Sequence, residues 1–157
     1  MTDQFEKSAG KWAASLSTGV RLLDEQHMAL FDCLQNLERA AAQKAMLATF
    51  HAMEQLSRYV KDHFSAEERL MKMYGYPGLP EHMQEHRSFC DKLFELRKVY
   101  LDHDISADLI ELLRDWLEDH VAHIDMAYVP YFKAEKPLAE LVPMPAAAAR
   151  PLNLLEW

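Results

Sequence analysis

Two long stretches of this chain, residues 20–74 and 81–129, contain neither glycine nor proline. Each is several times longer than an ordinary helix of about 11–12 residues, so each is expected to fold back as a helical hairpin. The predicted helices are 21–42, 46–74, 80–101 and 106–128. The second hairpin has a visible turn at Asp102-His103-Asp104-Ile105, with Asp104 or Ser106 as cap. The first is poorly marked, because residues 40–45 have strong helix propensity; a break near 42–45 is placed there only because an antiparallel neighbour requires one. The expected fold is all-α: an antiparallel up-down-up-down four-helix bundle over 21–130. An N-terminal arm (1–20) precedes it, and a Pro/Ala-rich C-terminal extension (131–157) follows.

Apolar residues three and four apart mark the inward stripe of each helix. They are Leu23, Leu30, Leu34 and Leu37 in the first, Met53, Leu56, Val60 and Leu70 in the second, and Phe89, Leu93 and Leu96 in the third. In the fourth they are Leu109, Leu113, Leu117 and Val121. Polar residues interrupt every stripe: His27, then His63 and Glu67, then His82 and His86, then His120. One buried imidazole is an ordinary core residue with a hydrogen-bond partner. Five satisfied separately would make an improbable core, whereas one shared metal centre accounts for all of them. His82/His86 and His63/Glu67 stand one helical turn apart, so each pair aims two ligand atoms the same way.

Asp125 is the awkward member. Five residues beyond His120 it lies roughly 140° round an ideal α-helix, so either its side chain reaches back or the helix contains a π-bulge. The pair Asp119 and His123 has tidier spacing but falls off the stripe, while His51 and His103 share faces or turns with charged residues. These are read as solvated or peripheral.

Seven ligands, five of them nitrogen, exceed the needs of one zinc ion and are too nitrogen-rich for magnesium or calcium. They suit two first-row ions bridged by the carboxylates. Five imidazoles divide unequally, so one ion keeps a vacancy for a small ligand. The formal charge of −8, from 25 acidic against 17 basic residues, argues against nucleic acid and anionic membranes as partners. No apolar run approaches a membrane span and the start lacks a signal-like core, so a cytoplasmic monomer is expected. Cys33 and Cys90 read as reduced, buried small hydrophobes. In the flanks, Trp12, Leu16 and Val20 are expected to pack on the bundle. The apolar end Leu152–Trp157 is expected either to fold back or to bind a protein partner.

These residues resemble the hemerythrin family, in particular its single-domain bacterial members. The resemblance rests on Gly19-Val20 with Asp24-Glu-Gln-His27, His63-Phe-Ser-Ala-Glu67-Glu68, Met71 and Tyr76-Pro77. It continues through His82-Met-Gln-Glu-His86 and Trp116-Leu-Glu-Asp-His120-Val-Ala-His-Ile-Asp125, and covers roughly residues 12–130. It implies a cofactor of two iron ions in an oxo- or hydroxo-bridged, non-haem di-iron centre. His82, His86 and His120 would hold the saturated iron and His27 and His63 the iron with the open position, with Glu67 and Asp125 bridging. Phe64, Trp116, Leu117 and Val121 would line an apolar O2 pocket that excludes water. Val121 is smaller than the residue common at that position, which would widen the pocket and speed autoxidation.

The implied function is reversible O2 binding for delivery, storage or sensing rather than enzyme catalysis. One alternative is an O2 or redox sensor signalling through a partner. Another is a di-iron oxidase or peroxidase-like enzyme; ferritin-like oxidase sites, however, are carboxylate-rich with Glu-x-x-His pairs, and neutral imidazole dominates here.

Overall fold

The computed structural model describes residues 16–133, all helix and connecting turns with no strand among them. Four long segments form the body: α1 (Arg21–Ala42), α2 (Met46–Met73), α3 (Leu79–Val99) and α4 (Ser106–Asp115). Without a break, α4 continues into a π-helix (Trp116–Ile124) and a 3₁₀ turn (Asp125–Ala127), followed by a short α5 (Val129–Lys133). α1 packs against α2 and α4, α3 packs against the same two, and α5 lies on α2. The result is a helical bundle. None of these helices is long and apolar enough to cross a membrane. The readings made for Trp12 and for residues 134–157 lie outside the described residues.

The predicted helices differ from the observed ones by at most two residues, except that the fourth changes its winding part-way along. The poorly marked first turn ends α1 in a Schellman motif. Lys44 adopts a left-handed conformation (φ 51°), Ala45 N–H donates to the Ala40 carbonyl and Lys44 N–H to that of Ala41, both at 3.0 Å. The end of α2 is built the same way, with Gly75 (φ 65°) in the left-handed position and Tyr76 N–H donating to Met71 at 2.9 Å. Glycine announces that turn in the sequence; lysine hides the other. In the second hairpin, Asp104 Oδ1 accepts from the backbone N–H of Ser106 at 3.0 Å, satisfying a donor at the start of α4. Gly78 precedes α3, and a Cβ there would lie 2.7 Å from the Tyr76 ring, which would have to shift to admit it.

Leu16, Thr18 and Val20 are buried. Asp24 anchors this segment to α1: its Oδ1 accepts from Thr18 N–H at 2.7 Å and Oγ1 at 2.8 Å, and its Oδ2 from Ser17 Oγ at 2.8 Å.

Two apolar clusters fill the interior. The larger runs from Leu37, Met53 and Leu113 to Phe64, Trp116 and Val121. The smaller comprises Val20, Leu23, Ala66, Leu70, Met71, Tyr128 and Phe132. Along α1, His27 falls between Leu23 of the small cluster and Leu30 of the large one. Along α2, His63 and Glu67 lie in the stretch where Val60 and Phe64 give way to Ala66 and Leu70. The inward polar residues therefore occupy a layer between the two clusters.

Candidate metal centre

Each of the seven expected ligand side chains is at most 3% exposed, so a water-solvated role is excluded for all of them. α1 contributes His27, α2 His63 and Glu67, α3 His82 and His86, and the π-helix His120. Asp125 follows it at the first position of the 3₁₀ turn. The five-residue step is solved by the backbone. Asp125 N–H donates to the His120 carbonyl, the i→i+5 bond of a π-turn, so two residues that an α-helix would splay apart face the same interior. The rival residues Asp119 and His123 are exposed, as are His51 and His103.

The ligand atoms form two groups that share a carboxylate. Glu67, His82, His86 and His120 offer atoms within 4.8 Å of one another, and so do His27, His63, Glu67 and Asp125. Each carboxylate divides its oxygens between the groups. Glu67 Oε1 lies 3.9 Å from His27 Nε2 and 3.6 Å from His63 Nε2, while Oε2 lies 3.5 Å from His82 Nε2 and 3.1 Å from His86 Nε2. Asp125 Oδ2 lies 3.3 Å from His27 Nε2, while Oδ1 lies 3.3 Å from His82 Nε2 and 3.1 Å from His120 Nε2.

The buried Nε2 atoms of His27, His63 and His86, Glu67 Oε2 and both Asp125 oxygens have no hydrogen-bond partner among the described residues. Unpaired buried polar atoms cost about 1–3 kcal/mol each, and so many converging on one point call for a shared cation. Two ions, each facing imidazole nitrogens and one oxygen of Glu67, fit this donor set.

Comparison with known proteins leads to the same place. Residues 18–132 match the family described as Hemerythrin HHE cation binding domain. The chain belongs to the hemerythrin family. It is 31% identical to a bacteriohemerythrin of Stenotrophomonas maltophilia over 124 residues, covering 78% of this chain and 81% of that one. It is 30% identical to a bacteriohemerythrin of Methylococcus capsulatus, covering 78% and 95%. A myohemerythrin of Riftia pachyptila is 32% identical, covering 74% and 88%.

Around these seven side chains this hemerythrin-family chain places a further ring of partners that pattern reading did not single out. His63 Nδ1–H donates to Gln26 Oε1 at 3.2 Å, His86 Nδ1–H donates to Glu68 Oε1 at 2.8 Å, and the buried Tyr128 hydroxyl donates to Glu67 Oε1. Each of the two imidazole bonds fixes the ring tautomer that leaves the Nε2 lone pair pointing inward. Gln26 and Glu68 sit on helices other than those of the histidines they support, and no spacing along one chain announces such a pairing. Tyr128, which the sequence reading passed over, is three residues after the candidate ligand Asp125, and that spacing is the one signal that could have found it.

Charge in this layer is strongly perturbed by burial and by the neighbouring groups. Burial pushes the His63 pKa down to about 4, against the pull of Glu67, so its ring is neutral. Burial likewise lowers that of His120, with Asp125 opposing. For His27 and His86 burial also disfavours the charged ring, but Asp125 and Glu67 at the first, and Glu67 with Glu68 at the second, outweigh it and raise the pKa. Burial alone would raise the Glu67 carboxyl; His63, His82 and His86 instead hold it well below the usual carboxylate range. The Tyr128 phenol is pushed well above its usual value by burial and by Glu67 and Asp125, which keeps it a donor.

Of the expected pocket residues, Phe64 stacks on His86 (centroids 3.7 Å, planes 3° apart) and Trp116 on His120 (3.7 Å, 15°). Leu117 and Val121 are fully buried in the same large apolar cluster. Phe64 also lies 5.9 Å from the His63 ring, so it touches histidines of both groups.

Proposed function

We propose that this chain is an up-down-up-down bundle that binds O2 reversibly at a non-haem di-iron centre, serving oxygen delivery, storage or sensing. In this reading His82, His86 and His120 hold one iron, His27 and His63 hold the other, and Glu67 and Asp125 span both. The observation that carries it is the division of each carboxylate's oxygens between two histidine groups. Iron held by these residues would supply reversible electron transfer and, beside His27 and His63, would leave room for a small ligand.

The protein's own residues supply the rest. Five imidazoles against two carboxylates make a nitrogen-rich, weakly anionic set, which does not favour the high-valent iron of carboxylate-rich oxidases; the site is therefore read as a binding site rather than an enzyme's. Hydrogen bonds from His63 to Gln26 and from His86 to Glu68 hold those rings in place. Phe64 and Trp116, stacked on ligand rings, with Leu117 and Val121 in the same cluster, keep bulk water from the centre and so slow ligand exchange and proton access. We read the chain as a cytoplasmic monomer, with any protein partner engaged through residues 131–157.

Anaerobic reconstitution with ferrous iron, followed by metal analysis and cycles of O2 and vacuum, tests this reading. Two irons per chain and a visible band that rises with O2 and vanishes under vacuum over repeated cycles are expected. Irreversible oxidation in a single exposure would defeat the carrier reading, and one metal per chain would defeat the two-ion premise.

A further inference from the structure

Each histidine group has one outer imidazole hydrogen bond, the Nδ1 atoms of His27, His82 and His120 having no partner among the described residues, and the two bonds differ in kind. In the group of three, His86 Nδ1–H is backed by the carboxylate of Glu68 at 2.8 Å. A ring that donates to an anion becomes a more basic, more electron-rich ligand at its other nitrogen. In the group of two, His63 is backed by the neutral amide oxygen of Gln26 at 3.2 Å, so the corresponding push is smaller.

Tyr128 adds to the same imbalance. Its hydroxyl donates to Glu67 Oε1, the oxygen facing His27 and His63, and not to Oε2, which faces His82 and His86. A hydrogen bond into that oxygen draws on the electron density it would otherwise give to a cation on the two-histidine side. The phenol is held for this purpose: its ring is fully buried, stacked on Phe132 (4.5 Å, 23°) and edge-on to Tyr76 (6.4 Å, 84°).

We infer that Glu68 and Tyr128 are opposed positioning residues that polarise the centre, making the three-histidine position the tighter cation site and the two-histidine position the weaker, more electron-poor one. The inference rests on the two-ion reading above and extends it. Filling would then be ordered, with the three-histidine position occupied first and the two-histidine position the first to release its ion.

The test is an anaerobic titration of the metal-free full chain with ferrous iron, against a competing chelator, resolving two stepwise binding constants. The expected wild-type result is two ions whose constants differ by at least about 10-fold, the scale on which partners of ligand residues act. Tyr128→Phe keeps the ring and removes the donor, so the weaker constant should tighten several-fold while the stronger one stays. Glu68→Gln should weaken the stronger constant by about 10-fold and leave the weaker one. Gln26→Glu, which moves no buried ring, should tighten the weaker constant and stands in for Tyr128→Phe if that variant does not fold.

A tightening on removal of a hydrogen bond is an outcome that a merely structural role would not produce. Two equal constants in the wild type, or changes in the opposite step, overturn the polarisation. A single ion per chain overturns instead the two-ion reading on which it rests.

Discussion

The large apolar cluster and the polar layer beside it both lie in the interior, and they are built on opposite principles. Around Leu37, Met53, Leu109 and Leu113 the interior is mainly hydrocarbon packed on hydrocarbon, and the buried hydroxyls of Thr49 and Ser106 pair with each other. A few turns further along, the same stretches of chain supply His27, His63, Glu67 and Asp125, and α3 adds His86; the Nε2 atoms of these three histidines, Glu67 Oε2 and both Asp125 oxygens lack hydrogen bonds among the described residues. The first region is complete as a protein. The second is complete only with something added, and its stability is therefore tied to that addition.

The largest effect expected from this contrast is on loading the metal. Ferrous iron at 1,000 times its dissociation constant should stabilise the fold by about 4 kcal/mol, raising Tm by roughly 10–20 °C, and a chelator should reverse it. A scanning-calorimetry trace unmoved by iron would erase the distinction between the regions. Next comes Leu113→Ala, which leaves a cavity in the complete region. It should cost about 2–5 kcal/mol in chemical denaturation, by the same amount in metal-free and loaded protein, because the site is remote from the ligands.

His63→Leu inverts that pattern. It removes an unpartnered buried Nε2 but also the bond from Nδ1 to Gln26, so the metal-free protein should lose no more than about 1.5 kcal/mol, the worth of that one bond. In loaded form it should lose an ion and much of the stabilisation by iron. A loss of several kcal/mol in the metal-free state would show that the polar layer is self-sufficient after all. The smallest effect belongs to a part outside both regions. Lys44→Gly relieves a left-handed lysine and should stabilise the fold by under about 1 kcal/mol in urea unfolding, loaded or not.

Much of this was legible from the one-dimensional pattern, because helical periodicity is a local property. Leu23, His27, Leu30 and Leu34 share a face whatever surrounds them, and a histidine that shares a face with leucines is buried when they are. The turn at Lys44 was not legible, since its Schellman hydrogen bonds can form on a residue that does not advertise a left-handed backbone. The pairing of Asp125 with His120 was legible as a conflict: spacing demanded a departure from α-helix, and the backbone resolves it with a π-turn.

By itself, then, the sequence determined which residues turn inward, roughly where each helix runs, and that five imidazoles and two carboxylates would be buried together, because these follow from the pitch of a helix and the hydrophobicity of its neighbours. How the oxygens of Glu67 and Asp125 are shared between two groups, and the placement of Gln26, Glu68 and Tyr128 behind particular ring and carboxylate atoms, came from the packing of one helix on another. Those are relations between helices. Their geometry is set by how the helices pack across the bundle, to a fraction of an ångström, and no periodicity along one strand of sequence encodes it.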